Sequence, residues 1–255
     1  MSDSIQLNLG ALRSAMKLTL HTHHAARIWH GRSATEDKNG IIGLSGFVGI
    51  LNKIKRGAEQ DDPYSDWWLI RVEEKLASSK ATLSEVQEHL DQVMANVPVA
   101  LTIGDNLNVQ PVTLPLFINS QHGFMAVYLL TQYDDLARRL LLAHHTAMIG
   151  RRDMERWLNE GGHVLRSLFA LVQQYKFSGA TRDDFAANNA RAREAREKFG
   201  ELPQDVLEGV QRAEFAPPII RRGSGSAVPQ AESANATDEG AVDSDDVVDA
   251  GAGER

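Results

Sequence analysis

Cysteine is absent from this 255-residue chain, and that gap removes several classes of protein at once. There can be no disulfide framework, no thiolate zinc site and no cysteine nucleophile. Long apolar runs are missing as well. None approaches the roughly 20 residues needed to span a bilayer, so no membrane partner is expected. The opening stretch, MSDSIQLNLGALRSAMKL, lacks a basic region followed by an apolar one. Secretion is therefore not expected, and the cytoplasm is the expected compartment. Catalytic signatures are lacking too: there is no GxGxxG, no P-loop, no GxSxG and no kinase-type motif. No enzymatic activity, cofactor or small-molecule substrate is expected.

What is present begins with a hydrophobic content of 42%, enough for a sizeable core. The net charge of −7 is unevenly placed. Residues 223–255 carry eight acids against Arg255 alone, which leaves 26 acids and 26 bases in the part ending at Arg222. The acidic segment is rich in Gly, Ser, Ala and Asp and has no aromatic residue, so it cannot bury enough apolar area to fold. The expected organisation is one folded domain over residues 1–222 and a disordered acidic tail over residues 223–255. A neutral body leaves nucleic-acid binding open, because a local basic patch decides it.

The body reads as mainly α in an α+β class, with a short N-terminal strand and a small β hairpin near residues 99–118. Met16–Arg32, MKLTLHTHHAARIWHGR, alternates apolar and polar residues and then changes to a helical pattern, a strand leading into a helix. Gly40, Gly43, Gly46 and Gly49 recur every third position through the apolar stretch Ile41–Arg56. On a helix such a row would admit a close backbone neighbour, although each glycine costs about 1 kcal/mol against alanine; an interrupted helix or a glycine-rich loop leading into a helix explains it as well. Asp62-Pro63 reads as an N-cap with proline at the first helical position, opening a helix to about Ser78. Thr82 and Glu85 form a capping-box pattern for a second helix to about Asn96.

Beyond Pro98, Val99–Ile103 and Leu107–Val109 flank Gly104-Asp105-Asn106 as a hairpin. Val112–Ile118 adds an extended segment that Pro111 and Pro115 confine to an edge. Helices are expected from about Gln121 to Met148, Arg152 to Lys176, Thr181 to Phe199 and Pro203 to Arg212. In the first of these, Leu129, Tyr133, Leu136 and Leu140 make the buried stripe, with Asp134/Arg138 and Asp135/Arg139 as exposed i,i+4 pairs.

Histidines cluster at His21, His23, His24 and His30, yet His23 and His24 are consecutive and diverge on any regular element. No HExxH or matching carboxylate spacing accompanies them, so no metal site is expected. Asp61, Asp62 and Asp66 read as first-turn acids favoured by the helix dipole. Trp68 continues through Val72 and Leu76, which marks it as a core anchor.

The strand-like segment is the strongest functional lead. Met16, Leu18 and Leu20 face one side, and Lys17, Thr19 and His21 the other. In ribbon-type DNA readers a short strand buries its apolar side and places alternating polar side chains in the major groove. Lys17, Thr19 and His21 can all hydrogen-bond base edges or phosphates, with Arg27 and Arg32 downstream as phosphate contacts. On spacing alone an ordinary amphipathic edge strand explains the pattern better.

A resemblance shifts that balance. LTLHTHHAARIWHGR, the glycine row leading to DDPYSDWWLIRVEEKL, and PVTLPLFINSQHGF resemble a family encoded on integrating conjugative elements and some plasmids. That family is grouped with the AcaB-like transcriptional activators of conjugation genes, and the resemblance spans roughly residues 5–220. It implies a ribbon-helix-helix mode of binding double-stranded DNA and a homodimer. The alternative is a non-enzymatic accessory protein of the conjugation machinery that acts through protein contacts.

Overall fold

The computed structural model describes residues 16–36, 39–98, 100 and 102–220. The expected acidic tail, residues 1–15 of the expected domain, and Val99 and Leu101 of the expected hairpin lie outside the described residues. The architecture is mainly helical with two small antiparallel sheets, in the expected α+β class. The order is β1 (Met16–Leu20), α1 (His23–His30), β2 (Gly31–Arg32), β3 (Ile41–Ile42), α2 (Leu44–Glu59), α3 (Pro63–Met94), β4 (Val112–Leu116), α4 (Gln121–His145), α5 (Arg151–Gln173), α6 (Arg182–Ala186), α7 (Ala190–Phe199) and α8 (Gln204–Leu207).

Helices α2 to α5 pack around one core, with α1 laid against α4 and α5. Phe47 of α2 meets Phe169 of α5 at 5.1 Å between ring centroids, and both rings are fully buried. Tyr133 of α4 is also buried and donates its hydroxyl hydrogen bond to the Leu158 carbonyl at 3.0 Å. That ring fits because α5 carries Gly161 there: a Cβ would lie 2.8 Å from the Tyr133 ring.

Glycine also decides the turn after α1. Gly31 has φ +80°, and a Cβ on it would meet Gly43 N and Ile41 O at 2.4 Å. A Cβ on Gly43 would lie 2.0 Å from Trp29 O. The close approach therefore involves Gly31 and Gly43, not the whole row, since Gly49 faces open space.

Several expected boundaries shift. The two helices expected over residues 63–78 and 82–96 are one, α3. Thr82 spends its hydroxyl on the Ser78 carbonyl at 3.1 Å instead of capping a new helix. The buried stripe runs unbroken through Leu76, Leu83, Val86 and Leu90. Asp62 caps α3 as expected, accepting from Tyr64 N. The expected helix over residues 181–199 is broken at Asn188, whose φ is +46°, and Asn189 caps α7. Asparagine tolerates that conformation and caps well, so the pair acts as punctuation.

The expected hairpin within residues 99–109 is not formed among the described residues; β4 pairs instead with β1, far earlier in the chain. Trp68 is a flank and not an anchor. It is half-buried, edge-on to Tyr175 at 6.0 Å and covered by Arg71 at 4.5 Å, while Leu69, Val72 and Leu76 fill the core.

The first-turn acids of α3 have larger roles than dipole complements. Asp66 is fully buried between two arginines: Arg182 Nη2 at 2.7 Å, and Arg212 through Nε at 3.0 Å and Nη2 at 2.9 Å. Arg182 also donates to Asp61 at 2.6 Å and to the Val206 carbonyl. Asp62 accepts from Ser65 and Ser178 hydroxyls at 2.7 Å each, while burial pushes its carboxyl above the usual carboxylate range against those hydrogen bonds. These contacts fasten the segment containing α6–α8 to the start of α3.

Candidate nucleic-acid interface

β1 and β4 form a two-stranded antiparallel ribbon in the register Lys17↔Pro115, Leu18↔Leu114, Thr19↔Thr113. Directly opposed residues share a face. Leu18 and Leu20 are buried, and Leu114 and Leu116 pack against the same core. Lys17, Thr19, Thr113 and Pro115 lie exposed on the other side. The alternation expected for β1 is observed from Lys17 to Leu20, whereas Met16, expected on the apolar side, is exposed, and Thr113 joins the open face from a strand that lies far away in sequence.

His21 follows directly on the strand and is half-buried. Its Nδ1 accepts from Asn108 N at 3.2 Å, and its carbonyl accepts from Asn108 Nδ2 at 3.1 Å. Half of its ring chemistry is thereby used to fix the chain before β4.

The ribbon is aimed by a buried carboxylate. Asp134 of α4 accepts from His21 N and Thr22 N at 2.9 Å each and from Thr22 Oγ1 at 2.6 Å. Thr22 Oγ1 in turn accepts from Ala25 N at 3.1 Å and so caps α1. The expected exposed pairs Asp134/Arg138 and Asp135/Arg139 are therefore replaced. Asp134 is 4% exposed, Arg138 pairs with Asp135, and Arg139 reaches across to Asp91 of α3. A signal for Asp134 was present: it stands four residues after Leu130 and three before Ala137, on the apolar stripe.

Arg27 and Arg32 are exposed and line a separate cleft of about 390 Å³, also bordered by His24, Arg166 and Tyr133. No residue of β1 or β4 lines it. Among the described residues, no group of three His, Asp or Glu side chains is placed to hold a metal ion, and no helix is long and apolar enough to cross a membrane.

A helical body bearing a short ribbon with an apolar back and an open polar face defines an α+β protein built around one presented surface. Residues 8–220 match the model of the family described as transcriptional regulator AcaB, and the chain belongs to that family of transcriptional regulators. The fold is similar to the crystal structure of selenomethionine-containing AcaB from uropathogenic E. coli, with a TM-score of 0.50 and 14% sequence identity over 78% of this chain and 100% of that chain. At that identity the likeness concerns the fold alone. No curated protein matches the chain.

Proposed function

We propose that this protein is a non-enzymatic, cytoplasmic DNA-binding regulator that reads double-stranded DNA with the β1–β4 ribbon and activates transfer genes of an integrating conjugative element. The observation that carries this reading is the ribbon's open face, Lys17, Thr19 and Thr113, in a chain of a transcriptional-regulator family. A two-stranded ribbon fits the major groove, where a lysine and threonine hydroxyls can reach phosphates and base edges. The order β1–α1–α2 agrees with a ribbon-helix-helix element, lengthened by the connection through β2 and β3. Among the described residues β1 pairs with β4 alone, which leaves its other edge to a two-fold mate in a homodimer. Arg27 and Arg32, expected as phosphate contacts, line a separate cleft.

Electrophoretic shift on upstream regions of its own element, at two salt concentrations, tests it. Lys17→Ala should weaken binding to every sequence and lower the salt slope by about one. Thr19→Ala with Thr113→Ala should erode sequence preference, since a good base contact is worth about 1–3 kcal/mol. A folded triple-alanine variant that binds as before removes the ribbon as reader. A second reading, an accessory protein working through protein contacts, is favoured by Phe117 and Tyr128, which are 88% and 66% exposed. It expects no sequence preference on any DNA.

A further inference from the structure

Three arginines meet where no acid answers them. Arg27 of α1, Arg32 of β2 and Arg166 of α5 line one cleft together with His24, and its lining contains neither Asp nor Glu. None of the three forms an ion pair among the described residues, although Arg138, Arg139, Arg151, Arg182 and Arg212 all do. Arg32 donates to the Asn39 carbonyl at 2.9 Å and Arg166 to the Asn159 carbonyl at 3.4 Å, so neutral oxygens hold them in place. Burial pushes the Arg166 guanidinium below its ordinary range; the Tyr133 oxygen opposes this, and the charges of Arg32 and Arg27 add to it.

The α5 backbone leaves space for the Arg166 side chain. Gly162 lies one turn before it, and a Cβ on Gly162 would sit 2.7 Å from Arg166 Nη1 and 3.0 Å from Tyr133 Oη. Adjacent glycines inside α5 are costly, each by about 1 kcal/mol against alanine. Gly161 makes room for the Tyr133 ring, and Gly162 makes room for the arginine.

Below the cations the cleft turns apolar, with Ile28, Ile42, Leu158 and Phe169 among its lining residues. A volume of about 390 Å³ lies within the roughly 300–1,000 Å³ typical of small-molecule sites. A DNA backbone phosphate would satisfy the guanidinium groups but offers nothing to the apolar part. A molecule with an acidic head and an apolar or aromatic body satisfies both, since guanidinium pairs phosphate and carboxylate through paired hydrogen bonds.

We propose that this cleft binds a small organic anion, a phosphate- or carboxylate-bearing molecule with an apolar body, held by Arg27, Arg32 and Arg166 above the floor of Ile28, Ile42 and Phe169. The ligand would bridge α1 to α5. Because only His21 and Thr22 separate β1 from α1, and Asp134 of α4 holds both, occupancy would brace the helix that carries the ribbon.

Calorimetric titration of the full chain with phenyl phosphate, phenol and inorganic phosphate tests the proposal. Phenyl phosphate should bind saturably, inorganic phosphate at least tenfold more weakly, and phenol not at all. Arg166→Gln and, separately, Arg27→Gln should each weaken phenyl phosphate binding at least tenfold. Arg27 is exposed, so that variant keeps the test valid if Arg166→Gln fails to fold. The proposal is overturned if phenyl phosphate does not bind, or if it binds wild type and folded Arg27→Gln equally. It is also overturned if the arginine variants lose only DNA affinity, which would make the cleft a DNA phosphate contact. Failure of the ribbon reading leaves the phenyl phosphate outcomes unchanged, because that binding is measured without DNA.

Discussion

Asp66→Ala is expected to destabilise the fold by about 3–5 kcal/mol. The carboxylate has no exposed surface and is shared by Arg182 and Arg212. Removing it leaves Arg212, with a side chain 21% exposed, without a carboxylate, and leaves Arg182, 11% exposed, with Asp61 alone. The loss exceeds one hydrogen bond because the remaining charges stay poorly hydrated. For a folded unit of this size the melting temperature should fall by roughly 10 °C. Adding Arg212→Met to Asp66→Ala should recover part of the loss, since one orphaned charge is then replaced by apolar volume. Thermal and urea denaturation of the wild type and both variants measure this. A single variant within about 1 kcal/mol of wild type would mean that the arginines find other acceptors or water.

This network shows where reading the chain alone reaches its limit. Asp62 and Pro63 announce the start of α3 by local chemistry, and the helix starts there. The first-turn acids fit that local explanation so well that nothing nearby signals Arg182 and Arg212, more than a hundred residues away. The same holds for the ribbon. Alternation in Met16–Leu20 is a period-two pattern, legible without knowing its partner, and burial of Leu18 and Leu20 follows it. Which strand completes the ribbon is a long-range matter. Gly104-Asp105-Asn106 offered a local hairpin, whereas the pairing observed is of β4 with β1, which brings Leu114 and Leu116 beside Leu18 and Leu20 on the core. Thr82 with Glu85 misled for the opposite reason: a motif that caps helix starts also fits inside a helix whose apolar stripe never breaks. The arginine cleft was half legible, since Arg27 and Arg32 are expected from the sequence as phosphate contacts, whereas Arg166 joins them only through the packing of α5 against α1.

Asp134→Ala is expected to separate the ribbon from the bundle while leaving most of the core standing. Asp134 takes hydrogen bonds from two backbone N–H groups and one hydroxyl at the junction of β1 and α1. Hydrogen bonds to a charged group are worth about 1.5–3 kcal/mol each. Some of that energy returns as water reaches His21, which is only half-buried, so a net loss of about 3 kcal/mol is expected. Thr22 loses the acceptor that orients its hydroxyl, and the cap on α1 weakens with it. Hydrogen exchange should therefore quicken at residues 16–25 first, with the amides of α3 and α5 still protected. DNA binding, read at a temperature where the variant remains folded, should fall although no residue of the open face has changed. Asp134→Asn should lie between wild type and alanine, because it keeps one carbonyl acceptor but turns two donors toward backbone N–H groups. If exchange at residues 16–25 stays slow in Asp134→Ala, then Leu18 and Leu20 alone hold the ribbon. If exchange quickens and DNA binding does not change, a ribbon held rigidly to α4 is not what the regulator uses to read its site.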